Sequence, residues 1–177
     1  MLLANKKVAE FVYHYQNKKE KNTFVYRVHD YPNVEKVADF AQFAQRFGYK
    51  LHTTDDKISN SINELMLAVE GKPEQDILQS IAIRTMAKAI YTTEAKGHFG
   101  LAFKHYSHFT SPIRRYPDVM THRLLAHYLN GGKSPEAEPY EKLCEHSSER
   151  EKRAADAERA SVKYKQVEYM AKREQQE

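Results

Sequence analysis

His105-Tyr106-Ser107-His108-Phe109-Thr110-Ser111-Pro112-Ile113-Arg114-Arg115-Tyr116-Pro117-Asp118, followed closely by His122-Arg123, concentrates more polar and aromatic chemistry than any other stretch of the chain. The residues from Gly97 to Thr110 hold two glycines, four aromatics and three histidines with little helical period, so they read as strand and loop. Ser111-Pro112 reads as a helix start, with Ser111 as cap and Pro112 in the first turn. That helix is expected to run to about Leu129, where Gly131-Gly132 stops it. On it Arg114, Asp118 and His122 are spaced by four and share one face, while Ile113, Tyr116, Met120, Leu124 and Tyr128 form an apolar one.

Two guanidiniums in a first helical turn would face the positive end of the helix dipole, which is unfavourable for the helix. A bound phosphate would resolve the conflict, because arginine grips it with two parallel hydrogen bonds. The competing reading is that Arg114 and Arg115 pair with Asp118 and with acids elsewhere. The residues leave both open. His105 and His108 lie three apart with His122 nearby, yet no cysteine or acid joins them at a spacing suited to a zinc site. Ser111 has histidines around it but fits no Gly-x-Ser-x-Gly nucleophile turn.

Upstream, Leu2, Leu3, Val8, Phe11, Val12 and Tyr15 predict a helix over 2–18, followed by a polar turn over 17–22. Phe24 to Val28 predicts a short strand. Pro32 opens a second helix that Gly48 ends, Asp55 or Asp56 caps a third closed by Gly71, and Pro73 begins a fourth. Downstream, a long helix runs from about Tyr140 to the end. Ser147, Ala154, Ala157 and Ser161, extended by Leu143, Arg150 and Tyr164, make a stripe that another backbone or a nucleic-acid strand could approach. Glu158 borders it; ordinary helix packing with a solvated glutamate is the competing reading.

A chain of 177 residues, 41% hydrophobic and 29% charged, is long and apolar enough for one globular domain. The net charge of +4 permits nucleic-acid contact without requiring it. Cys144 is the single cysteine, which excludes an intrachain disulfide. No apolar run approaches a membrane span and the first residues lack a signal-peptide layout, so no membrane partner is expected and the cytoplasm is the default compartment. Both ends lie inside helical patterns without caps, as expected of a piece of a longer protein.

The stretch Tyr106 to Asp118 with His122-Arg123 closely resembles the signature of the RNB catalytic domain of the ribonuclease R and ribonuclease II family. Met1 to Asn5 with Val8-Ala9 looks like a helix in the middle of that domain, Tyr26 to Pro32 like its following strand and helix start, and Ala154 to Arg159 like its final helix. Phe109 and the doubled arginine favour the ribonuclease R side. The resemblance implies a mainly α fold with a few short β-strands near 24–28 and 99–109, an α+β partial RNB domain filling 1–177. It implies a parent protein that is a processive, magnesium-dependent 3′→5′ exoribonuclease, threading single-stranded RNA 3′ end first and releasing monophosphates. In that picture Arg114 holds the phosphate near the scissile bond and Glu158 contacts the terminal nucleotide, while Arg115, Tyr116, His122 and Arg123 belong to the same RNA-binding motif. The family's metal-binding aspartate cluster lies upstream of the first helix here and its OB-fold domain downstream of Glu177, and neither pattern occurs in this sequence. No metal is therefore expected on this chain, and it is expected to be inactive alone. The missing half of the domain is an expected partner, and apolar surface left uncovered allows self-association. The other function class is a non-catalytic RNA-binding or structural helical module.

Overall fold

The computed structural model describes residues 1–15, 22–53 and 55–174. The expected polar turn after the first helix and the capping side chains of Asp55 and Asp56 lie outside the described residues. The first helix, α1 (Leu2–His14), turns Asn5, Ala9 and Val12 inward at spacings of four and three. The strand β1 (Tyr26–Val28) pairs antiparallel with β2 (Ile90–Thr92), Arg27 opposite Tyr91. Between these strands three helices are inserted: α2 (Val34–Gln45), α3 (Asp55–Ala68) and α4 (Gln75–Thr85). Asn33, rather than Pro32, starts α2, its side chain accepting from the backbone N–H groups of Glu35 and Lys36. The fourth predicted helix begins two residues after Pro73, at Gln75.

The insert carries its own core, in which Phe40, Ala44, Leu65, Val69, Leu78 and Ala82 interlock. A second cluster in the insert gathers Val37, Ile58 and Ile62, and a third core joins α1, β1, β2 and two further helices, α5 (Tyr116–Leu129) and α6 (Glu138–Glu174). Phe24, Val12, Met120, Leu124, Tyr128 and Cys144 are all buried there. Each large side chain so buried contributes about 1.5–3 kcal/mol. The Tyr128 hydroxyl is satisfied by donating to the Thr23 carbonyl at 2.6 Å.

The fold class is the expected one, mainly helix with two short strands, but one strand sits elsewhere. The partner of β1 is Ile90–Thr92 and not the 99–109 stretch, which makes a 3-10 turn at Phe99–Leu101 and isolated bridges from His98. Its aromatics and histidines pack as side chains rather than extending a ladder. Gly97 has φ +88°, and a Cβ there would come within 3.2 Å of the Phe103 carbonyl oxygen, so this turn requires glycine.

Candidate functional site

The signature segment is fixed from two sides. The Ser107 hydroxyl donates to the Val25 carbonyl at 2.6 Å, and the Arg27 amide donates to the Tyr106 carbonyl at 2.9 Å, laying the segment along β1. From α1, the Asn5 side-chain amide donates to the Tyr106 hydroxyl while its oxygen accepts from the amides of Phe109 and Thr110. Asn5 is thus a buried polar clamp whose side-chain hydrogen bonds are directed at the motif.

The helix that follows starts at Tyr116, not at Ser111-Pro112. Pro117 is the physical reason. In a helix beginning at Ser111 it would be interior, with no N–H for the residue-113 carbonyl and a ring against the preceding turn. At the second position of α5 it costs nothing. Residues 112–114 form a turn instead, closed by the amides of Arg114 and Arg115 on the Ser111 carbonyl. Arg114 therefore precedes the helix, so only Asp118 and His122 of the expected face lie on α5. Of the expected apolar face Met120, Leu124 and Tyr128 are buried, but Ile113 is 99% exposed and Tyr116 half exposed, because the turn lifts them off the core.

The two neighbouring arginines have different fates. Arg115 forks onto Asp118, its Nε to Oδ2 at 2.8 Å and its Nη2 to Oδ1 at 2.9 Å. Asp118 is fully buried and also accepts the Ser111 amide at 2.8 Å. For Arg115 the ion-pair reading holds. Arg114 is exposed, and its guanidinium makes no hydrogen bond or ion pair among the described residues.

Arg114, Arg115 and Tyr116 form one wall of a cleft of about 630 Å³. The opposite wall is α6, through Ser147, Arg150, Glu151 and Ala154, with Tyr91 of β2 between. The Glu151 carboxylate accepts from Arg27 at 2.6 Å, and the Arg27 guanidinium lies 4.5 Å from the Tyr91 ring centre. Burial pushes the Tyr91 hydroxyl up to about 12, with Arg27 opposing. That hydroxyl pairs with His108 Nδ1 at 2.8 Å. Burial, and then the charges of Arg115 and Arg27, press His108 down to about 4, which keeps it neutral.

The remaining expected site residues do not line the cleft. His122 stacks on Phe109 at 3.9 Å and bonds its carbonyl at 2.8 Å, so it braces the motif. Arg123 is exposed on α5. Glu158 is exposed one turn of α6 beyond Ala154. The three histidines do not converge: His105 stacks on Tyr13 at 3.8 Å, apart from the partners of His108 and His122. Arg150, Glu151, Tyr91 and Arg27 join the site through the fold and are not among the site residues the sequence points to. For Arg150 a signal existed, since it falls within the small-residue stripe of α6.

A cleft with arginines on both walls, beside a short sheet and at the start of α5, defines an anion-facing α+β domain. Residues 1–131 match the RNB domain, and the chain belongs to the RNB family. It is 39% identical over 154 residues to ribonuclease R 1 of Lactococcus lactis subsp. lactis, covering 83% of this chain and 19% of that protein. Among solved structures it resembles Mycoplasma genitalium RNase R in complex with ribose-methylated single-stranded RNA, at 29% identity and TM-score 0.79, covering 93% of this chain and 26% of that one. It also resembles yeast Ssd1, a pseudonuclease, at 25% identity and TM-score 0.70, over 82% of this chain and 18% of that one. The chain spans about a fifth of the length of its curated relative. No helix among the described residues is long and apolar enough to cross a membrane.

Proposed function

We propose that this chain forms the phosphate-holding wall of the RNA channel in a processive 3′→5′ exoribonuclease. Single-stranded RNA would lie 3′ end first in the cleft between the 111–116 turn and α6. The observation that carries this reading is the exposed guanidinium of Arg114, without a hydrogen bond or ion pair among the described residues, beside an arginine already neutralised by a buried aspartate. A planar fork in the turn before a helix, with no acid pairing it among the described residues, suits a phosphate that moves through by one nucleotide at a time. Arg115 would act by fixing the turn that presents Arg114, and Tyr116 would offer an aromatic face at the cleft. Glu158, further along α6, would meet the terminal nucleotide, with Arg123 a peripheral phosphate contact and His122 a brace.

The magnesium that the family resemblance implies does not find a fitting donor set here. Asp118 is committed to Arg115 and Glu151 to Arg27, and no group of three or more His, Cys, Asp or Glu among the described residues could hold a metal ion. The reading therefore assigns metal binding to another part of the parent protein and assigns this chain no turnover of its own. In the complete RNB protein, Arg114→Ala should lower single-turnover cleavage by at least about a hundredfold, as for loss of one preorganised charge-stabilising donor. RNA affinity should fall much less, because many phosphate contacts share it. Arg114→Lys should restore part of the rate. Near-normal cleavage by Arg114→Ala, or equal loss of binding and cleavage, would overturn the assignment.

A second reading, a non-catalytic RNA-binding module, draws support from the likeness to Ssd1, described as a pseudonuclease. Sequencing the gene on either side of this segment separates the two: an upstream aspartate cluster favours the enzyme.

A further inference from the structure

We infer that Arg150 of α6 is a second RNA phosphate contact, placed so that the backbone of the RNA is held from both walls of the cleft. The inference rests on the RNA-channel reading of that cleft and adds a residue to it. Its first support is the charge count within the cleft. Of the charged side chains that line it, Arg115 is matched by Asp118, and Glu151 is matched by Arg27 behind it. Arg114 on one wall and Arg150 on the other are left without an ion pair among the described residues.

The second support is a contrast along α6 itself. Lys142 pairs with Glu138, Arg159 with Asp156, and both Lys165 and Lys172 with Glu168. Arg150 has no such option. The positions three and four residues away are His146, Ser147, Arg153 and Ala154, with no acid among them and a like charge at one. Lys152, Arg153 and Lys163 of the same helix also make no ion pair among the described residues, but of these unpaired cations only Arg150 lines the cleft. Small side chains flank it, Ser147 one turn before and Ala154 one turn after, so a sugar–phosphate backbone can approach the helix closely there.

The third support is rigidity. The Glu151–Arg27 ion pair, at 2.6 Å with the guanidinium against Tyr91, pins α6 to the sheet one residue from Arg150. The spacing between the two walls is therefore set by a bond network and not by the RNA. Two guanidiniums carried on walls tied to the same sheet favour a chain carrying successive phosphates over a single small anion.

The test is equilibrium binding of a fluorescein-labelled single-stranded oligouridylate to the 177-residue chain across a salt series. Arg150→Ala should weaken binding about tenfold and reduce the slope of log K against log salt by about 0.7, one contact's share on single strands. Arg150→Lys should recover the slope and part of the affinity. Arg153→Ala, an exposed arginine of the same helix outside the cleft lining, should change affinity little and serves as the control. Wild-type affinity and slope in Arg150→Ala, or an equal loss in Arg153→Ala, would overturn the inference. Binding that is lost in Arg114→Ala yet unchanged in Arg150→Ala would sink only this inference. Wild-type chain that binds no RNA would sink the channel reading together with it. Circular dichroism of each variant keeps a folding defect from being read as a binding one.

Discussion

The two halves of α6 are one helix under two regimes. From Glu138 to Glu151 it is tied to the domain. Cys144 is fully buried, Glu141 accepts from the Thr93 amide at 2.6 Å, and the Ser148 hydroxyl accepts the Tyr91 amide at 2.9 Å. From Glu149 to Val167 every residue is exposed, and the helix is supported by its own ion pairs, Asp156 with Arg159 and Lys165 with Glu168. Val162, Tyr164, Val167 and Met170 remain uncovered along it. The candidate site lies at the joint, where the last tie, Glu151, sits beside Arg150 and Ala154. A cleft built there has one wall held rigidly and a helical extension free to meet something larger.

The widest separation between the regimes should appear in stability. Phe24→Ala in the core, where the ring is fully buried, should cost about 3–5 kcal/mol of unfolding free energy in urea titrations. Val167→Ala on the bare half should stay within about 0.5 kcal/mol. A large cost for Val167→Ala, dependent on protein concentration, would mean that the exposed half is covered by another copy.

The next effect belongs to the site. Asp118→Ala removes the partner of Arg115 and the acceptor of the Ser111 amide, leaving a largely buried cation and an unmatched N–H. A fully buried pair broken this way costs about 3–5 kcal/mol; Arg115 keeps 19% exposure, so about 2 kcal/mol is expected. Arg114→Ala should leave the melting temperature unchanged, since its exposed side chain makes no hydrogen bond or ion pair among the described residues. If the two variants destabilised equally, the division between a bracing and a presenting arginine would fail.

A smaller, pH-dependent effect should separate core from extension. Burial, with His29 and Arg27 adding to it, holds His98 down to about 4, as burial with Arg115 and Arg27 holds His108. In the unfolded chain both titrate near about 6.5. As pH falls through the window between these values, the unfolded state takes up protons that the folded state refuses. The stability these groups provide is thus complete above about 6.5 and is lost as pH falls towards about 4. Urea midpoints measured across that window should decline, and His98→Asn should flatten the decline. An unchanged slope in that variant would count against a buried neutral His98.

Much of this organisation was legible in the sequence. The helix faces of α1 and of the α2–α4 insert follow apolar spacing, and Gly48 and Gly71, both at positive φ, close helices where their positions predict. The signature stretch could be matched to a family because its chemistry is local and contiguous. What escaped was set by tertiary contact. Ser111-Pro112 has the form of a helix start, but the buried Asp118 draws the Ser111 amide into a turn and Pro117 delays the helix. The strand at Ile90–Thr92 is three residues long and marked only by its pairing with β1, so aromatic-rich 99–109 looked stronger. Spacing along α6 does not rank Arg150 above its neighbours; its place in the lining of the cleft that also holds Arg114 comes from the fold.

The finest difference lies within the bare half of α6. Glu168 accepts from Lys165 at 2.7 Å and from Lys172 at 3.2 Å, and these hydrogen bonds lower its carboxyl below the usual range. Among the described residues these turns are exposed except for a half-buried Glu168, so their helicity depends on propensity and on such pairs. Glu168→Ala puts the best helix former in place of glutamate, so any loss of helicity must come from the missing charges and not from backbone preference. Amide hydrogen exchange should therefore speed up from about Tyr164 to Arg173 in the variant, while amides around Cys144 and Leu124 keep their rates. Salt supplies the matching experiment. At about 1 M, where charges are screened within about 3 Å, the wild-type extension should lose its exchange advantage over the variant. Slower exchange in Glu168→Ala, or a difference that survives high salt, would show that something other than ion pairing holds the end of this helix.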